Sequence, residues 1–335
     1  MKKYVAIVVF FLVFGAELSA GVIKKTRVEV DFKGFGKFSV LSEEKISAER
    51  SFSQSKNDFK GQGLVGGLAA KTILRSGDFG QIINLPERLI YQLDNKKKEY
   101  TVLPIEKFKE QELGETEEKE PEAGGEESEL RIIRSEFKVE PTSEQKVINQ
   151  FNCRKYLITW LTEWENVRTG ERDKEKLLTE VWATPLTGAL QEAQEEEARF
   201  ATEYMKLLGL EFKGKEKDIL GESWLNLLSQ LKAGEEAPLL EAKNVAKELK
   251  KIEGFPVVTS GQLFSSREGG ESEPKSEGRP GGLVGGLAKS VLKKKPKEGE
   301  EKEPALTYYI EVMEVNLVPL KEADFQVPPD YKKKN

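Results

Sequence analysis

The chain has 335 residues, of which 33% are charged and 38% hydrophobic, and its formal net charge of -5 is spread over interspersed acids and bases. A mildly acidic chain of this kind excludes nucleic-acid binding through its net field. It has no histidine and one cysteine, Cys153, which removes Ser-His-Asp and Cys-His catalysis, histidine metal sites and any internal disulfide.

The first elements point to export. Lys2 and Lys3 precede an apolar run over residues 4–14, and Leu18-Ser19-Ala20 supplies a small-residue cleavage signal. Residues 1–20 therefore read as a secretory signal peptide, cut so that the mature chain starts at Gly21. The apolar run is about half of the ~20 residues that a spanning helix needs, which makes a retained anchor the rival reading. No cysteine follows the run, so lipid attachment at a new N-terminal cysteine is excluded. Losing Lys2, Lys3 and Glu17 takes the net charge from -5 to -6. The predicted location is the periplasm, with the outer surface or full secretion as alternatives. Residues 21–335 are predicted to form a single domain held by its core alone.

Residues 22–32 alternate, with Thr26, Val28, Val30 and Phe32 on one face and Lys25, Arg27, Glu29 and Asp31 on the other. That is the pattern of a half-buried strand. Residues 38–41 and 46–52 are predicted as the next strands. LIYQL and EYTVL, at 89–93 and 99–103, flank the polar turn DNKKK and predict a hairpin. Strands continue at 132–139 and 153–161; the second is apolar on both faces, as a buried central strand is, with Cys153 a small apolar residue inside it.

The period then changes. Ala193, Phe200, Ala201, Tyr204, Leu207 and Leu208 fall at helical spacing and predict a helix over 189–208, capped by Thr187 and ended by Gly209. A second short helix is predicted around Trp224, Leu227, Leu228 and Leu231. A third is predicted from Ala242 to Ile252, opened by Pro238. Strands return at 255–264 and 306–317. Residues 106–129 and 265–303 are poor in apolar residues and read as solvated, largely disordered loops that join neighbouring strands. The acidic run at 115–129 has no Asp-x-Asp-x-Asp-Gly pattern and reads as a linker, not a calcium site. Strands, then helices, then strands predict an α+β fold: a mostly antiparallel sheet with helices gathered on one face. No GxGxxG fingerprint and no P-loop is present.

Several strings carry a resemblance. IINLPERLIYQLDNKKKEYTVLP, VINQFNCRKYLITW, VWATP at 181–185, GFPV at 254–257 and FQVPPDY at 325–331 together resemble a family of uncharacterised secreted bacterial proteins. That family has a strand entering a Lys-rich turn, an Ile-Asn-Gly-aromatic-x-Cys-x-Lys-Tyr strand, and a Trp-containing strand before a long helix. The resemblance implies a fold like that of the periplasmic lipoprotein carriers of the LolA/LolB type: a curved, open antiparallel half-barrel with helices packed on its concave face. It implies no catalytic residues. Gln150 stands where the family has Gly, and the charged loops are additions.

The remaining chemistry is sparse. Glu163 and Glu165 are two residues apart around Trp164 and would share a face of a strand; an acid-base pair competes there with an ordinary exposed strand end. Trp160, Trp164, Trp182 and Trp224 read as core before they read as a sugar-stacking surface. No catalytic residue, metal site or cofactor is predicted.

One feature asks for a function. GLVGGLA occurs twice, at 63–69 and at 282–288. Read as helices, the copies set Leu64, Val65, Leu68, Ala69 and Ile73, and Leu283, Val284, Leu287, Ala288, Val291 and Leu292, along one side. Basic residues follow each: Lys71 and Arg75 after the first, and Lys289, Lys293, Lys294 and Lys295 after the second. Gly63 with Gly67, and Gly282 with Gly286, have the offset that permits close helix approach. Three readings stay open: a membrane-touching face with lysines on anionic headgroups; mutual packing of the two copies; and glycine loops over an apolar cavity, or repetition without a role. Isolated helices below ~12–15 residues are marginal in water, so some surface must order them. The predicted function is a non-catalytic exported protein that binds an apolar ligand, a lipid or lipoprotein acyl chain, at an envelope membrane. The alternative is an envelope scaffold that docks another envelope protein. No nucleic-acid partner is predicted.

Overall fold

A computed structural model of the protein describes residues 19–63, 76–107, 130–210, 239–268 and 303–334. In chain order the strands are β1 (Ser19–Phe32), β2 (Gly36–Ile46), β3 (Arg50–Gly61), β4 (Gly77–Asn84), β5 (Leu89–Asp94), β6 (Glu99–Pro104), β7 (Leu130–Ile148), β8 (Phe151–Asn166) and β9 (Arg172–Thr184). The helices α1 (Ala189–Leu207) and α2 (Leu239–Leu249) follow. The chain then forms β10 (Phe255–Glu268), β11 (Leu306–Leu320), a 3-10 turn over Glu322–Phe325, and β12 (Lys332–Lys333). All twelve strands join one sheet in the order β12-β6-β5-β4-β3-β2-β1-β11-β10-β9-β8-β7. Neighbours are antiparallel except β12 on β6, which is parallel.

β1 stands at the centre, paired along its length with both β2 and β11. Its alternation places Val30 and Phe32 on one face, where cross-strand rows carry the pattern onward. Val30, Tyr308, Gly261, Thr179, Ile158 and Val139 are successive partners across six strands, and Phe32, Leu306, Leu263, Leu177, Trp160 and Phe137 form the adjacent row. Side chains of these rows make the largest buried cluster, joined by Val245 and Leu249 of α2. Full burial of such a side chain contributes about 1.5–3 kcal/mol. Leu190 and Ala193 of α1 cluster with Val22, Val312 and Val315, and Phe200 clusters with Leu85 and Ile105. Lys24 of β1 reaches Glu197 of α1 at 2.8 Å and Glu44 of β2 at 3.2 Å. Burial disfavours its charge, but the two carboxylates outweigh that and raise its pKa. On the opposite face, Phe325, Val327 and Tyr331 cover Ile82, Leu93, Tyr91 and Tyr100.

The α+β expectation is corrected. Strand accounts for 62% and helix for 14% of the described residues, so one large mixed sheet carries the fold. The two helices are minor additions, and the open half-barrel with helices packed on its concave face is not what the chain forms. The apolar runs mark only the middles of these strands; the ladders run on through charged residues. Cross-strand ion pairs such as Arg131–Glu165 and Lys174–Glu163 face each other along those extensions. β9 opens on RDKEK and so shows no apolar run over its first half, and β4, GDFGQIIN, is hidden by its two glycines.

Residues 46–52 are not one strand: Ile46 ends β2, residues 47–49 turn, and Arg50 opens β3, with the Ser47 N–H donating to the Arg50 carbonyl at 2.8 Å. α1 starts from Gly188 with no side-chain cap, so Thr187 does not cap it, while Gly209 ends it in the left-handed region at φ 75°. β10 extends to Glu268, four residues into the segment expected to be loop. The segment 106–129 joins β6 and β7, which lie on opposite flanks of the sheet and not side by side. The helix predicted around Trp224 lies outside the described residues.

Candidate functional site

The two GLVGGLA copies fall in the connections β3–β4 and β10–β11, and the ends of those strands fix where the two connections are rooted. Gly61 of β3 pairs with Gly36 of β2, and Gly36 pairs with Phe32 of β1. Phe32 pairs with Leu306 of β11, and Leu306 with Leu263 of β10. The roots of both connections therefore leave the same end of the sheet. Gly61 and Leu306 are three strand spacings apart, about 14 Å.

The turn between β1 and β2 stands between those roots and binds both. The Phe35 N–H donates to the Phe32 carbonyl at 3.0 Å and closes the turn. The Phe35 ring is buried, edge-on to Phe32 at 6.2 Å and tilted against Phe59 at 5.4 Å. Gly36, at φ 144°, lies so close to β3 that a Cβ there would meet the Lys60 carbonyl oxygen at 2.4 Å. On one flank, the Gln62 N–H donates to the Phe35 carbonyl at 2.7 Å. On the other, the Lys33 N–H donates to the Ala305 carbonyl at 3.0 Å, and the Ala305 N–H to the Leu263 carbonyl at 2.8 Å. The Lys33 ammonium meets Glu303 at 2.8 Å and holds that exposed carboxyl below its usual range.

Leu64, Val65, Leu68, Leu283, Val284, Leu287, Lys293, Lys294 and Lys295 lie outside the described residues; of the first copy only Gly63 is described. Reading the sequence did not single out Phe35, Gln62, Glu303 or Ala305. Their one signal was the FKGFGKF string, whose glycines permit the close turn.

The other candidates resolve differently. Glu163 and Glu165 do share a face of β8, but each sits among cations of the flanking strands. Glu163 lies 3.0 Å from Lys174 and 3.6 Å from Arg134; Glu165 lies 2.8 Å from Arg131 and 3.4 Å from Arg172. The Arg131 hydrogen bond, then that of Arg172, holds the Glu165 carboxyl below its usual range, the opposite of what a general acid needs. Trp160, Trp164 and Trp182 are buried, and Lys146 and Lys155 lie 4.3 and 5.7 Å from the Trp182 ring centre. Cys153 is buried, and burial pushes its thiol pKa up. Among the described residues, no helix is long and apolar enough to cross a membrane.

No family model, curated protein or solved structure matches the chain, so these comparisons do not bear on the resemblance to the lipoprotein-carrier family.

Proposed function

We propose that this is a non-catalytic exported envelope protein that engages an apolar partner, a lipid or lipoprotein acyl chain at a membrane surface, through its two GLVGGLA connections. The observation that supports the reading is the placement of their roots: both leave one end of the sheet, on either flank of the same three-residue turn. Two connections rooted about 14 Å apart, each carrying an apolar, glycine-rich copy, can meet one surface together. Each large apolar side chain moved out of water contributes about 1.5–3 kcal/mol, and the lysines after the second copy add attraction to anionic headgroups.

Replacing Leu64, Val65 and Leu68 with Ser is expected to weaken vesicle flotation by several decades at most while the thermal melt stays put. The same change at Leu283, Val284 and Leu287 acts alike, and the combined variant is worst. High salt weakens the anionic component through Lys293, Lys294 and Lys295. An envelope scaffold whose copies clamp each other predicts the reverse: either set lowers the melting temperature, and the combination adds little. Absence of vesicle binding by the parent protein ends the lipid reading.

A further inference from the structure

Two lysine triplets, Lys96-Lys97-Lys98 and Lys332-Lys333-Lys334, stand more than two hundred residues apart in the sequence. The fold brings them together. Lys332 and Lys333 form β12, which pairs in parallel with Glu99 and Tyr100 at the start of β6, immediately after the first triplet. The Lys332 N–H donates to the Lys98 carbonyl at 2.9 Å, and the Lys334 N–H to the Tyr100 carbonyl at 2.8 Å. Backbones so paired lie about 4.8 Å apart. All six side chains are exposed.

The corner is built, not incidental. The Asn95 side chain accepts from the Tyr331 hydroxyl at 2.9 Å and donates to Asp78 at 2.6 Å, which ties the turn, the C-terminal segment and the start of β4 together. Lys97 pairs with Asp94 and Lys98 with Asp330. Among the described residues, Lys96, Lys332, Lys333 and Lys334 have no carboxylate within 4.0 Å. The corner therefore carries excess positive charge on a chain whose net charge is -5. It also lies at the end of the sheet that holds the GLVGGLA roots, since Asp94 pairs with Phe79, two residues beyond Gly77.

We infer that this lysine corner docks the protein on an anionic lipid surface. The charge is all lysine and no arginine. Lysine offers compact, hydrated point charges on long stems, which match a diffuse field, whereas geometric recognition of a single phosphate favours the guanidinium fork. The position beside the GLVGGLA roots would let one approach serve both, so the orientation rests on the function proposed above. The corner itself consists wholly of described residues.

Flotation of the exported protein with vesicles of phosphatidylcholine alone, and of phosphatidylcholine mixed with phosphatidylglycerol, tests the inference. Each lysine near an anionic surface is worth roughly a five-fold gain in partition. Lys332→Gln, Lys333→Gln and Lys334→Gln together are expected to weaken binding to the mixed vesicles on the order of 100-fold, with an unchanged melt because backbone hydrogen bonds hold β12. Lys176→Gln, Lys247→Gln and Lys250→Gln together make the same charge change elsewhere and are expected to leave flotation nearly unaltered. Equal losses in the two triple variants overturn the inference, as does binding that ignores phosphatidylglycerol. Loss of binding to a single-stranded RNA probe, with vesicle binding intact, also overturns it. If the Leu64, Val65 and Leu68 serine variant keeps its anionic flotation while the lysine triple variant loses it, the corner stands and the GLVGGLA reading falls. The opposite pattern removes the corner and keeps that reading.

Discussion

At Gly261 one ring decides what a neighbouring strand can carry. The Tyr308 ring crowds Gly261, where a Cβ would stand 2.5 Å from ring carbons. The Tyr308 hydroxyl shares a hydrogen with the Thr179 hydroxyl at 2.5 Å, one strand further on. Gly261→Ala is expected to destabilise by about 1–3 kcal/mol through overpacking. In a Tyr308→Ala background the same change becomes neutral or favourable, because Ala suits a strand better than Gly by roughly 0.5–1 kcal/mol. Denaturant melts of the four proteins check this coupling. Burial pushes the Tyr308 phenol up to about 12, against a small lowering by Thr179. The unfolded chain releases that proton near pH 10, so this contribution is whole below pH 10 and is lost as pH climbs towards 12.

At the scale of the element, α2 answers a problem set by β7. β7 is an edge strand of 19 residues, and an unpaired edge exposes backbone donors. The Glu248 carboxylate of α2 accepts from the Val139 N–H at 2.8 Å, while Val245 and Leu249 join the cluster that contains Val139. Lys251, then the Val139 N–H, holds the Glu248 carboxyl below its usual range. Its stabilising effect is therefore present above the unfolded carboxylate pKa and is lost as pH falls through the folded one. Glu248→Ala is expected to cost about 1–3 kcal/mol by leaving a buried donor unpaired. Glu248→Gln keeps an acceptor, costs less and flattens the acid limb. Urea melts across pH 3 to 7 separate the two variants.

For the whole molecule, the first and last described segments are worked into one sheet. Ser19 and Ala20 pair with Leu320 and Pro319, and Gly21 packs where a Cβ would meet Leu320 at 2.4 Å. Cleavage after Ala20 would thus cut inside a strand that is paired there with β11, and with β2 from Val22 onward. If the proposed export reading holds, processing would precede folding, since a protease needs the chain extended and unpaired. N-terminal sequencing of the exported protein is expected to begin at Gly21. Folded protein that still carries the leader is expected to resist cleavage until denatured; prompt cleavage of the native form would show that the start of β1 is not held.

Some of this was readable from composition and period. The central strand β1, the hairpin β5–β6, the core of β8, helix α1 and the strands β10 and β11 announce themselves, because each carries a local alternation or helical spacing that its own burial requires. Glu163 and Glu165 likewise fall on one face, as a period of two dictates. What could not be read is whatever depends on a partner strand. The charged reaches of β7 and β9 are strands because cations and carboxylates face each other across the ladder, and no single segment shows that. For the same reason the balance of sheet over helix was misjudged. The shared turn beneath the two GLVGGLA roots and the meeting of two lysine triplets are matters of register between residues hundreds of positions apart. Hydrogen bonding between strands sets that register, and only the folded sheet fixes it.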